Sequence, residues 1–244
     1  MRCTIGHTYI EQLKEALGGP GEHDLPARAL EEGFGWPKPY PGHLLTMLGR
    51  KRLDNLEFCV EEALRLRVPG DLIEAGVWRG GAAMLMRAVL AAHGAKRRKV
   101  VLADSFDGVP PPRPEIYPHD EGLTLHLDRQ LAVGVDEVKA NFARFNLLDD
   151  SVEFIAGMFR DTLPKLSSRR WAVVRLDGDL YESTMDGLTY LYPNLSPGGF
   201  LIVDDYGAYE ACAAAIEEYR HSHGIDEEII KIDWTGIYWQ KREQ

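Results

Sequence analysis

The chain is poor in cysteine: 244 residues hold three, Cys3, Cys59 and Cys212, far apart and with no Cys-x-x-Cys pair. That excludes a disulfide framework and a thiolate zinc site and leads us to expect a cytoplasmic protein. A basic surplus is absent as well. Lys and Arg number 28 against 38 Asp and Glu, a formal net charge of -10, which repels phosphodiester backbones and argues against a nucleic-acid partner. No window approaches the ~20 apolar residues of a membrane span. The opening MRCTIGHTYIEQLKE carries charges too closely spaced for a secretory signal, so no membrane partner is expected. Internal repeats, low-complexity tracts and the Gly-x-Gly-x-x-Gly turn of dinucleotide folds are also missing.

What is present has the texture of an α/β protein. Residues 1–50 read as an arm or cover: a short helical start, then GGPGEHD, then a stretch broken by Pro37, Pro39 and Pro41. From Lys51 to the end, residues 51–244 read as the main domain. Leu53, Leu56, Val60 and Leu64 mark one apolar helix face ending at Val68-Pro69-Gly70. Short apolar runs then alternate with amphipathic stretches: the strands DLIEAGV, KVVLADSF, SVEFIAGMF, WAVVRLDGDLY and GGFLIVDDY, with helices between them. EEIIKID and GIYWQK, joined by Trp-Thr-Gly, predict a closing antiparallel hairpin. The insertion at 109–130 is long for a strand-to-helix loop and reads as a lid or a surface excursion.

In open parallel sheets ligands sit at the carboxyl ends of the strands, and here those ends are acidic. Glu74 precedes the turn from Gly76 to Gly81, Asp104 ends the second strand, Asp177 and Asp179 end the fourth, and Asp204 and Asp205 end the fifth. Each alone can close a strand or cap a helix; four such ends together point to a site. The glycine turn lets backbone approach a ligand at a helix N-terminus, but not with the spacing that cradles a pyrophosphate. Asp104 stands one strand-helix-strand unit after Glu74, where an acid accepts both hydroxyls of a ribose. Asp177, Asp204 and Asp205, three carboxylates without His or Cys, suit a hard divalent cation, magnesium by default. If the chain stays extended after the fourth strand, the carboxylates of Asp177 and Asp179 point to the same side. Met84 and Met86 read as packing, Trp78 as packing or, second, as flanking the cofactor, and His119, His126, His221 and His223 as surface or capping residues or, second, as touching substrate.

Taken in order, KRLDNL, GVWRGG, ADSFDG, GMFRDTLP, RLDGDLYEST, LSPGGFLIVDDY and the closing GIYW resemble the macrocin O-methyltransferase family of sugar O-methyltransferases, over roughly residues 51–239. The resemblance implies the class I methyltransferase fold: a seven-stranded, mostly parallel sheet with a late antiparallel strand and helices on both faces. It implies S-adenosylmethionine and Mg2+ as cofactors. Glu74 and Gly76 would lie by the methionine part and Asp104 with Ser105 at the ribose. Gly157, Phe159 and Arg160 would border the adenine, and Asp177 would sit between cofactor and metal. Asp177, Asp204 and Asp205 match the metal ligands and Asp179 the general base, where catechol O-methyltransferases place a lysine.

The reaction expected is transfer of a methyl group to a hydroxyl of a deoxysugar, on a glycosylated scaffold or still nucleotide-linked. The partner is then a small-molecule glycoside or sugar, and the resemblance implies self-association. A methyltransferase of a catechol or other vicinal diol is the alternative, followed by a nucleotide-binding oxidoreductase domain, for which the expected glycine turn is missing. The long insertion and the Pro-rich 36–42 stretch favour a wide-mouthed site for a large acceptor.

Overall fold

A computed structural model describes residues 4–18 and 40–242. The GGPGEHD stretch from Gly19 on, Pro37, Pro39 and Cys3 lie outside the described residues.

Helix α1 (Thr4–Gly18) is followed, past residue 40, by α2 (Arg50–Arg65), whose face of Leu53, Leu56 and Val60 is buried as its spacing predicts. The core then alternates: β1 (Asp71–Ala75), α3 (Gly81–Ala92), β2 (Val100–Asp104), α4 (Val135–Arg144), β3 (Val152–Ala156), the single turn α5 (Phe159–Thr162), β4 (Trp171–Leu176), α6 (Tyr181–Leu191), β5 (Leu195–Val203) and α7 (Glu210–His223). The strands β6 (Ile230–Lys231) and β7 (Ile237–Gln240) close the chain.

Seven strands form one sheet in the order β3-β2-β1-β4-β5-β7-β6. β1 to β5 are parallel; β7 runs antiparallel to both β5 and β6, as the hairpin expectation required. One core packs α1, α2 and α3 on one face, with Ile10, Leu13, Leu17, Leu45, Leu48 and the buried Met84 and Met86. The described parts of 1–50 thus share the core of the following domain. The other face carries α6 and α7. Among the described residues no helix is long and apolar enough to cross a membrane.

Register positions the site. Ala75 pairs with Ala103 on one side and Leu176 on the other, and Leu176 pairs with Val203. The next residue on each strand, Gly76, Asp104, Asp177 and Asp204, therefore falls in one row along the carboxyl edge. The strands are shorter than the apolar runs suggest because the chain turns there, with φ +91° at Gly76, +137° at Gly157 and +58° at Asp179. Asp177 to Asp179 is accordingly not extended, which corrects the expected geometry of that pair.

Candidate active site

The edge row opens into a cleft walled by Gly76, Val77 and Trp78, by Asp104 and Ser105, by Met158 and Phe159, and by Asp177, Gly178 and Asp179. Gly76 is demanded by the backbone: a Cβ there would stand 1.7 Å from the carbonyl oxygen of Asp177, at a φ that side chains disfavour. The glycine thus lets the β1 turn touch the end of β4. Asp104 braces that turn, one carboxylate oxygen accepting the Val77 N–H at 2.6 Å and the other the Phe106 N–H at 2.7 Å. Ser105 bonds the Gly108 carbonyl at 2.6 Å and faces the same cleft.

The acids of β4 and β5 converge. Ligand oxygens of Asp177, Asp204 and Asp205 lie within 4.8 Å of one another, a spacing and an all-oxygen donor set that fit one hard divalent cation. Burial, and then the neighbouring charges, push Asp205 well above the ordinary carboxylate range and Asp179 up to about 8. A bound cation would relieve that repulsion. Asp179 bends toward the cluster because its own N–H donates to Oδ2 of Asp205 at 3.1 Å.

Two arginines hold the cluster together from behind. Arg175, fully buried within β4, donates to Glu74 at 2.6 Å, to Asp177 at 2.8 Å and to Oδ1 of Asp204 at 2.6 Å. Arg52 of α2 pairs with Oδ2 of Asp204. Burial pulls Asp204 upward, but the two guanidinium charges outweigh it and leave its carboxyl below the usual value. Glu74 is 1% exposed and lies beneath the cleft rather than in its wall; burial raises it to about 8 against the pull of Arg175.

The insertion forms the far wall with Gly108, Val109, Pro110 and Leu131. It is docked, not loose. The Trp78 indole N–H donates to the Gln130 carbonyl at 2.8 Å, Arg113 pairs with Glu182 at 3.0 Å, and His119 stacks on Tyr181 at 5.0 Å. Trp78, read as packing, therefore also lines the cleft and ties the insertion to the glycine turn. Arg160 points to Glu182 at 3.3 Å, half-exposed, and Gly157 turns the chain toward Phe159. His223 stacks on Tyr219 and takes no part in the cleft.

A family model described as Macrocin-O-methyltransferase (TylF) matches residues 7–241. The chain belongs to the macrocin O-methyltransferase family. It is 52% identical over 221 residues to the 8-demethyl-8-(2,3-dimethoxy-alpha-L-rhamnosyl)-tetracenomycin-C 4'-O-methyltransferase of Streptomyces olivaceus, covering 90% of this chain and 82% of that protein. It is 47% identical over 244 residues to the mycinamicin III 3''-O-methyltransferase of Micromonospora griseorubida, covering 99% and 94%. The solved structure of the O-methyltransferase NovP superposes with a TM-score of 0.88 at 42% identity, over 98% of this chain and all of that one. The calicheamicin methyltransferase CalS11, at 20% identity and a TM-score of 0.61, shares the fold.

Within this family fold, Glu74, Gly157 and Arg160 are not part of the cleft wall, and the other residues read from sequence separate into two groups. Gly76, Asp104, Ser105, Phe159, Asp177 and Asp179 wall the cleft; Asp204 and Asp205 adjoin it through the acid cluster. Sequence reasoning missed Arg175 and Arg52. The signal for Arg175 was available, since a lone charge inside the apolar run WAVVRL is buried only if paired.

Proposed function

We propose that the protein transfers the methyl group of S-adenosylmethionine to a hydroxyl of a deoxysugar on a glycosylated natural product, with magnesium held by Asp177, Asp204 and Asp205. The observation that carries this reading is the edge row, which sets the Asp104 carboxylate and the three-carboxylate cluster along one edge of the sheet beside one cleft. The acceptors named for the relatives, one of them a rhamnosylated tetracenomycin, support a glycoside.

Asp104 and Ser105 bind the ribose, the Gly76 turn accommodates the methionine part, and Phe159 with its neighbours borders the adenine. Magnesium, when bound, supplies a chelation point for adjacent hydroxyls and lowers the pKa of the acceptor. Asp179 accepts the proton of that hydroxyl on a carboxylate oxygen while its oxygen attacks the sulfonium methyl in line. The departing thioether is neutral, so no acid is needed on that side. The wall of the 107–131 segment and Trp78 shield the reacting atoms and leave a mouth for the rest of the acceptor.

The test is a panel of glycosides, nucleotide-sugars and catechols incubated with S-adenosylmethionine and read by mass spectrometry for one added methyl group. A methylated glycoside that forms with magnesium and not with chelator is the expected result. Methylation of a catechol in preference to every sugar would move the acceptor class, and full turnover in excess chelator would remove the metal.

A further inference from the structure

Arg52 lies in KRLDNL, a stretch with no part in the chemistry above. Its side chain, only 12% exposed, reaches three separate elements. Nη1 meets Oδ2 of Asp204 after β5, Nη2 donates to the carbonyl of Met47 at 3.3 Å, and Nε lies 3.0 Å from Oδ2 of Asp233 in the β6–β7 turn as an ion pair without hydrogen-bond geometry. The turn leaves room for it: a Cβ on Gly236 would come within 3.1 Å of Arg52 Cδ and 3.3 Å of Cγ. The other oxygen of Asp204 is taken by Arg175 at 2.6 Å. Asp204 is therefore gripped on both carboxylate oxygens, whereas Asp177 and Asp205 each receive a hydrogen bond on one.

We propose that Arg52 is a positioning residue for the cation site, fixing the Asp204 carboxylate in its coordinating orientation and tying α2 and the β6–β7 turn to it. The inference rests on the magnesium reading given above. Carboxylates crowded into a buried cluster repel one another and swing apart unless something holds them. Each carboxylate oxygen has two lone pairs, so an arginine on each still leaves pairs for a metal. The extended guanidinium bonds Asp204 while its charge stands beside Asp233, which the compact ammonium of lysine cannot do from the same backbone position.

Two effects of opposite sign make the idea testable. Removing a positive charge beside a cation site strengthens cation binding by electrostatics alone, whereas losing the orientation of a ligand weakens it by roughly ten- to hundredfold. Mn2+ serves as the probe, titrated into the cofactor-free full chain and followed by calorimetry and by loss of the free-ion electron paramagnetic resonance signal. Arg52→Gln should bind Mn2+ at least about tenfold more weakly than wild type, with Arg52→Lys recovering only part of the loss. Asp233→Asn, which removes one anchor of the guanidinium and keeps its charge, should weaken binding severalfold. Unchanged or tighter Mn2+ binding by folded Arg52→Gln overturns the proposal. Should that variant fail to fold, unchanged affinity in Asp233→Asn overturns it instead. A wild-type chain that binds no Mn2+ overturns the magnesium reading itself, a result distinguishable from either.

Discussion

Asp120, fully buried in the insertion, accepts the backbone N–H groups of Tyr181 at 2.6 Å and Glu182 at 3.1 Å. A residue from the insertion thereby caps α6, which begins two residues after Asp179. The cap also explains why α6 starts at Tyr181, the last residue of the WAVVRLDGDLY run that reads as strand in the sequence. Asp120→Ala should lower stability by about 1 kcal/mol, the usual cost of a lost cap. It should raise KM for the acceptor more than it weakens S-adenosylmethionine binding. Thermal melts and cofactor calorimetry on the same variant check both, and an unchanged melting temperature would contradict the capping role.

Asp104 does two things at once, bracing the Val77 turn and facing the cleft. Asp104→Ala should cost S-adenosylmethionine binding about 1.5 to 3 kcal/mol, the range for a lost hydrogen bond to a charged group. Calorimetry measures this directly. Tight NAD binding without S-adenosylmethionine binding would reverse the cofactor assignment.

Asp179→Asn keeps the shape and loses the proton acceptor, and turnover should fall by roughly a hundredfold or more. Because the Asp179 charge pushes up the carboxyl of Asp205, the substitution can also act on the acid cluster. Turnover followed across a magnesium titration separates the two: rescue at high magnesium would assign Asp179 to ligand orientation and remove it from the base role.

The raised carboxyls set a pH dependence whose sign follows from linkage. Asp179 stands at about 8 in the folded protein against 3.8 ordinarily, and Asp205 is shifted the same way. The folded state therefore keeps protons that the unfolded chain releases from about pH 4 upward, so stability is lost as pH rises toward 8. In chelator, the melting temperature should fall between pH 5 and 8 through these groups. Added magnesium should stabilise more at pH 8 than at pH 6, because it replaces protons that are then absent. Scanning calorimetry with and without magnesium reads the effect, and an equal magnesium increment at both pH values would contradict it.

The alternation of strands and helices and the acidic edge were legible because hydrophobic period and residue type carry them directly. The bend at Asp179 was not: its cause is a hydrogen bond to Asp205, 26 residues on, and no local pattern encodes it. Arg175 was hidden inside a run that otherwise reads as buried strand, and its partner Glu74 becomes visible only when register sets Glu74 beside it. The docking of the insertion rests on Trp78, Asp120 and Arg113 meeting residues far along the chain, which spacing cannot predict.

The close approach of Gly76 to the Asp177 carbonyl means that the β1 turn and the end of β4 share one wall with no slack in it. Any change that shifts β4 shifts the glycine turn with it, so these two halves must evolve together. The insertion is joined to the cleft mainly by side-chain contacts, and it can be exchanged piece by piece. Under the proposed function, acceptor range is therefore best redesigned at 107–131, with β1 and β4 left untouched.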